Sequence, residues 1–192
     1  MRIILASSSS YRKTLLQKII SEFETYSPNI NESRKPDESF IDLSKRLAIE
    51  KAKALAVQFP DALIIGSDQV ACINTTQLNK PLTRENTFNQ LQKCQGQSVL
   101  FHTGICLYNS RTNNSQSSVE SYQTQFRQLS DSQLMNYIDR EPAFDCAGGF
   151  KMEGLGIALF EKIQGNDPNI LIGLPLIKLI SMLENESYSV LS

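Results

Sequence analysis

Residues 62–69 read Ala62-Leu63-Ile64-Ile65-Gly66-Ser67-Asp68-Gln69, a continuous apolar run behind Pro60-Asp61 that ends in a hydroxyl, a carboxylate and an amide. A strand with one wet face alternates apolar and polar residues. An unbroken apolar run points to a strand covered on both faces. The pattern predicts a buried strand that delivers Ser67, Asp68 and Gln69 at its carboxyl end, the edge where open α/β sheets bind ligands.

Upstream, Phe40, Leu43, Leu47, Ala48, Ala52, Leu55 and Ala56 recur at three- and four-residue steps, which predicts one amphipathic helix over residues 40–59. Lys45, Arg46, Glu50, Lys51 and Lys53 fill its other positions. The charged, proline-containing stretch 31–38 reads as a loop. At the N-terminus Arg2 to Ala6 forms a β-branched run, four serines follow, and Leu15, Leu16, Ile19 and Ile20 fall at helical spacing. This is a strand, a polar turn and a helix.

Downstream, a turn over residues 74–79 leads through Lys80-Pro81 to a helix capped by Thr83 and stopped near Gly96. Residues 99–109 and 119–129 read as two long strands joined by the polar stretch 110–118, a hairpin arm. Ser130 and Gln133 have the spacing of a capping box that opens a helix through Tyr137. Residues 144–156 are rich in glycine, 157–163 read as a strand, and a turn-rich approach over 168–175 precedes a closing helix over 176–183. The alternation of strands and helices predicts an α/β domain with a mixed sheet, spanning residues 1–192 as one domain.

Composition narrows the function. The chain has 192 residues, 41% hydrophobic, and no apolar run near the roughly 20 residues of a membrane span. Ile3-Ile4-Leu5-Ala6 is too short for a signal-peptide core, so a cytoplasmic location is expected. With 19 basic and 20 acidic side chains, phosphate neutralisation along a polynucleotide is disfavoured, and a small ligand is expected. The four cysteines form no C-x-x-C pair, so reduced thiols are expected, without a zinc or redox motif. The single histidine, His102, sits in a strand-like segment without a G-x-S-x-G elbow, which disfavours a hydrolase triad.

Four constellations could carry chemistry. The turn Ser7-Ser8-Ser9-Ser10 with Tyr11, Arg12 and Lys13 could cradle phosphates, although a serine cap alone starts many helices and no P-loop is present. Asp68 could orient or deprotonate a water, hold a magnesium ion, or simply cap a turn. Glu32, Lys51 and Lys80 could converge on a triphosphate and its metal, or stand separately in solvent. In Gly148-Gly149-Phe150-Lys151-Met152-Glu153-Gly154, glycines allow close backbone approach and Glu153 could accept hydrogen bonds from a guanine edge, or sit exposed in a tight turn.

Taken in order, Leu5-Ala6-Ser7-Ser8-Ser9-Ser10-Tyr11-Arg12, Arg46-Leu47-Ala48-Ile49-Glu50-Lys51-Ala52, Ile65-Gly66-Ser67-Asp68-Gln69-Val70, Lys80-Pro81-Leu82-Thr83, Cys146-Ala147-Gly148-Gly149-Phe150 and Ile172-Gly173-Leu174-Pro175-Leu176 resemble the Maf family of nucleotide pyrophosphatases. The resemblance implies an elongated mixed sheet with flanking helices, two lobes around a central cleft as in inosine triphosphatase-like folds, and a homodimer in many members. It implies cleavage between the α- and β-phosphates with a divalent metal, usually magnesium. Asp68 becomes the proton acceptor, and Lys51 and Lys80 join it as catalytic residues that hold the phosphates; Ser8, Arg12 and Lys13 bind phosphate; Glu32 and Asp68 hold the metal. Lys13 stands where arginine is common, and Ser10 where proline is usual.

The base-facing positions resemble the branch that prefers 7-methyl-GTP, with aromatic Tyr11, Gln69 and Glu153, and not the dTTP and UTP branch. A methylated guanine carries a delocalised positive charge, which favours stacking on Tyr11 and pairing with Glu153. Two other readings remain: a pyrimidine triphosphate pyrophosphatase acting on UTP, CTP or dTTP, and a non-enzymatic nucleotide-binding regulator of septum formation.

Overall fold

The computed structural model describes residues 1–191. Its strands are β1 (Arg2–Ala6), β2 (Glu24–Tyr26), β3 (Ala62–Ile73), β4 (Thr76–Leu78), β5 (Ser98–Asn109), β6 (Asn114–Phe126) and β7 (Phe160–Gln164). Among the described residues these form one sheet in the order β2-β1-β3-β5-β6-β7, with β4 paired to β3. The sheet is mixed, since β1 runs parallel to both β2 and β3 while β4 and β7 pair antiparallel with β3 and β6. The helices are α1 (Ser10–Leu16), α2 (Phe40–Ala54), α3 (Arg84–Cys94), α4 (Asp131–Arg140) and α5 (Leu176–Asn185). The α/β expectation holds.

The residues group into two compact units, one of 1–69, 102–120 and Asp167 onward, the other of 70–101 and 121–166. In the first, strand alternation sorts the core into two layers. Ile3, Leu5, Leu63, Ile65, Ile105 and Leu107 pack with Leu15 and Leu16 of α1 and Leu176, Leu179 and Leu183 of α5. Ile4, Ala6, Ala62, Ile64 and Cys106 pack with Ala48 and Ala52 of α2 and with Leu55 and Phe59 beyond it. Helices on both faces explain why residues 62–66 are apolar without interruption.

On the α2 side, Gly66 lets the helix lie directly on the strand. A β-carbon there would collide with the Ala48 carbonyl and the Ala52 amide nitrogen. This close approach brings Lys51, between them on α2, to the strand.

The second unit is built around aromatic edges: Phe150 meets Phe101 at 5.5 Å and Phe160 at 4.9 Å between ring centroids, both T-shaped. Phe150 thereby anchors the glycine-rich segment. Helices α3 and α4 are tied by a bidentate pair, Arg84 to Asp139, at 2.8 and 3.0 Å. The capping box expected at Ser130 and Gln133 is present.

Several boundaries differ from expectation. Helix α2 stops at Ala54, where the Leu55 and Ala56 amides reach only three residues back; a further turn follows to Phe59, and Pro60 disfavours helical backbone at that last residue. Leu55 and Phe59 are still buried, so the apolar periodicity extends beyond the regular helix. β3 continues to Ile73, so Ser67, Asp68 and Gln69 lie in mid-strand and not at its carboxyl end. The strand that ends there is β1, whose Ala6 faces Gly66.

Within 74–79 lies β4, and Asn74 at φ 52° supplies the left-handed residue of the hairpin. The segment 157–163 begins as a 3-10 helix (Leu155–Leu159), with β7 only from Phe160; the Gly156 amide is held by Glu141 at 3.0 Å instead of by a strand partner.

Candidate active site

The turn after β1 is organised by its own serines. Ser7 Oγ accepts from the Ser9 amide at 3.1 Å, and Ser9 caps α1 by accepting from the Arg12 amide. Ser7 is buried, whereas Ser8 and Ser10 are exposed. α1 is only seven residues long, and the positive charge at this turn comes chiefly from side chains. Lys13 is exposed and Tyr11 half-buried.

Arg12 is fixed at two points: its Nε donates to the Gly173 carbonyl at 2.8 Å and its Nη1 to Ser7 Oγ at 3.4 Å. Gly173 adopts φ 107°, a left-handed conformation natural to glycine, and this aims its carbonyl at Arg12. Burial pulls the guanidinium below its ordinary value, while the carboxylates of Asp68 and Glu32 oppose that shift. A guanidinium remains charged throughout.

Lys51 Nζ lies 2.6 Å from Asp68 Oδ1 and 3.0 Å from Glu32 Oε1. Lys51 and Asp68 are 6% and 8% exposed, so this is a desolvated pair: losing Lys51 leaves the Asp68 carboxylate buried without its ion-pair partner, whereas losing Asp68 leaves Lys51 with Glu32. Glu32 reaches it from the exposed loop 31–38. Arg46 holds that loop with a fork on Glu38 at 2.6 and 2.9 Å and a bond from Nη2 to the Ser33 carbonyl, and is itself steadied within α2 by a bond from Nη1 to Glu50. The fork holds the Glu38 carboxyl down at about 2.

Gln69 follows Asp68 in β3 and points to the opposite side, where its amide nitrogen donates to the Ile170 carbonyl at 2.6 Å and to Thr103 Oγ1 at 3.2 Å. Ser67, on that side too, donates to the carbonyls of Gly104 and Gly173. Strand β3 therefore presents Asp68 to α2 and Gln69 to the turn Asp167–Gly173. That turn is pinned by buried Asp167, which accepts from the amides of Asn169 and Ile177 at 2.9 Å each.

Of the residues singled out in the sequence, the structure gathers Arg12, Lys51, Asp68 and Glu32 within the first unit. Lys80 and Glu153 belong to the second, both exposed, Lys80 between β4 and α3 and Glu153 in a turn of the glycine-rich segment. Sequence reasoning missed the clamping role of Arg46, filed among the polar positions of an amphipathic helix, and the roles of Ser7, Ser67, Thr103 and Asp167. The one usable signal was Gly173, a glycine directly after an apolar turn.

Among the described residues no three His, Cys, Asp or Glu side chains gather as a metal cage. The pair Glu32 and Asp68 nevertheless fits a hard cation. Both carboxylates converge on one positive group, and magnesium needs only one or two protein carboxylates when phosphate and water complete its shell. The cysteines are free thiols, with Cys94 and Cys106 pushed up by burial to about 12 and 11, and burial lowers the pKa of His102. Burial thus keeps the Cys94 and Cys106 thiols protonated, away from the reactive thiolate form.

A family model described as Maf-like protein matches residues 2–186. The chain belongs to the Maf family. Maf relatives from Aliivibrio fischeri, Colwellia psychrerythraea and Nitrosococcus oceani are 48, 46 and 47% identical over 190, 190 and 189 residues. The alignments cover 98 to 99% of this chain and 95 to 98% of each relative. Each of the three is named a 7-methyl-GTP pyrophosphatase. The Maf chain also superimposes on the Staphylococcus aureus Ham1 protein with a TM-score of 0.55 at 14% identity, covering 97% of this chain and 100% of that one, a likeness of fold. Among the described residues no helix is long and apolar enough to cross a membrane.

Proposed function

We propose that this chain acts in the cytoplasm, as one domain, to hydrolyse 7-methyl-GTP to 7-methyl-GMP and pyrophosphate. The observation that carries the reaction class is the buried Asp68 carboxylate held by Lys51, with Glu32 and Arg12 beside it. Lys51 screens Asp68 until a substrate arrives. A triphosphate draws the Lys51 ammonium toward its own oxygens, and this frees Asp68 to accept a proton from water. The water oxygen bonds to the α-phosphorus as the bond to the α,β-bridging oxygen breaks and pyrophosphate leaves.

Arg12, Lys13, Lys51, Lys80 and the Ser8 hydroxyl bind phosphate oxygens, and Arg12, already fixed on Gly173, does so with little loss of side-chain freedom. Glu32 and Asp68 would hold a divalent cation, best matched by magnesium, which when bound neutralises phosphate charge. The names of the relatives and the trio Tyr11, Gln69 and Glu153 support the methylated purine as the base. A cationic ring stacks on an aromatic face and pairs with a carboxylate.

The test is pyrophosphate release with magnesium across 7-methyl-GTP, GTP, UTP, CTP and dTTP, with Asp68→Asn as control. Preference for 7-methyl-GTP that disappears in the control supports the reading. A pyrimidine preference overturns the substrate, and release undiminished in Asp68→Asn overturns the role of Asp68.

A further inference from the structure

Gln69 has one amide, and its two ends ask for opposite partners. The nitrogen can only donate and the oxygen can only accept. The Ile170 carbonyl, 2.6 Å away, can only accept, so the nitrogen must face it. The Thr103 hydroxyl has a single proton, and it is directed to that same carbonyl at 3.0 Å. Thr103 therefore meets the second N–H of Gln69 with a lone pair, at 3.2 Å. Both N–H groups are consumed by groups that cannot take the oxygen in exchange, and Oε1 is what Gln69 has left for a ligand.

We infer that Thr103, with the Ile170 carbonyl, is a positioning residue that fixes Gln69 as a pure hydrogen-bond acceptor, so that this position selects a base presenting an N–H. The inference rests on the nucleotide reading above and deepens it. A guanine presents a ring N1–H and an exocyclic amine on one edge, and a positive charge from 7-methylation strengthens both as donors. Adenine has a bare ring nitrogen at the same place, and two acceptors facing each other repel and leave a lone pair unmatched. Thr103 is 0% exposed, so its hydroxyl has no water partner to turn to and stays committed to the Ile170 carbonyl and Gln69.

The lock predicts a change in selectivity without a change in chemistry. Thr103→Val keeps the shape of the side chain and removes the hydroxyl, so the Gln69 amide is held only by its bond to the Ile170 carbonyl, can swivel about that bond, and no longer keeps Oε1 fixed toward the ligand. Binding of 7-methyl-GMP and of AMP, followed by calorimetry on the full-length protein, reads this without any turnover. The expected result is a preference for 7-methyl-GMP that falls roughly three- to tenfold in Thr103→Val, the worth of one hydrogen bond, and is retained in Thr103→Ser. The KM for 7-methyl-GTP rises by the same factor while kcat stays within about twofold.

Gln69→Met supplies the second variant. It loses the preference by itself, and in its background Thr103→Val changes nothing more, since a residue that acts only through Gln69 has nothing left to act on. A Thr103→Val protein with unchanged preference overturns the inference, as does a further loss in the double variant or wild-type protein that binds AMP as tightly as 7-methyl-GMP. Absence of pyrophosphate release alongside the expected binding shift would remove the proposed reaction and leave the Gln69 assignment standing. Normal release with unchanged preference would do the reverse.

Discussion

Lys51 Nζ and Asp68 Oδ1 are 2.6 Å apart, joined across the contact between α2 and β3 with side chains only 8% and 11% exposed. A pair this dry is poor evidence for stability in itself, because desolvation offsets most of the attraction, but breaking it is costly. Lys51→Met leaves the carboxylate buried without its cation. Loss of about 3–5 kcal/mol in denaturant unfolding is expected, while Asp68→Asn retains the fold and lowers kcat by roughly 10²–10⁴-fold. Equal stability of Lys51→Met and wild type would show that Asp68 is screened by something else.

Gly66 sets that distance. Gly66→Ala places a methyl group against the backbone of α2 at Ala48 and Ala52, and the helix can only yield by moving off the strand. Overpacking of this kind costs roughly 1–3 kcal/mol. Because the displaced helix carries Lys51, activity should fall further than stability alone explains. Assays well below the melting transition would show a reduced kcat in protein that is still folded.

Glu38 links the Glu32 loop to pH. Its carboxyl is held at about 2 by the Arg46 fork, below the ordinary 4.5, so the unfolded chain takes up a proton before the folded one does. Stability from this pair is complete above about 4.5 and is lost as pH falls toward 2. In Glu38→Gln this acid-sensitive component should vanish from unfolding measured across that window. Arg46→Met should raise the magnesium concentration needed for half-maximal activity, because Glu32 is no longer held near Asp68.

The thiols give a separate check. Burial holds Cys94 and Cys106 at about 12 and 11, and it raises Cys72 as well, so all three remain protonated and shielded at neutral pH. Alkylation of native protein should modify only half-exposed Cys146, counted by intact mass, and denaturation should expose all four. Rapid native modification of Cys94 would contradict the packing of α3.

Much of this was legible in the residues. The unbroken run 62–66 identified a strand with helices on both faces, and the caps at Thr83 and Ser130 lie where their spacing put them. These signals are local, since burial on two faces and capping each leave their mark within a few residues. β2 was not visible because three residues are too short for alternation, and its place is set by parallel pairing with β1. Asp68 was found as a candidate, but its burial depends on α2 approaching at Gly66, a contact with a partner 18 residues away at Ala48. The lock on Gln69 depends on Thr103 and Ile170, more distant still, and neither residue type announces such a role.

The two-residue repeat of β3 puts Asp68 on one side and Gln69 on the other. Inserting or deleting a single residue between Ala62 and Asp68 would shift the strand by one register position and exchange the two sides, swinging the carboxylate toward Ile170 and the amide toward Lys51. Insertions and deletions in this stretch are thus closed to gradual change. Change on either side of the strand must come by substitution, while the spacing of the strand stays constant.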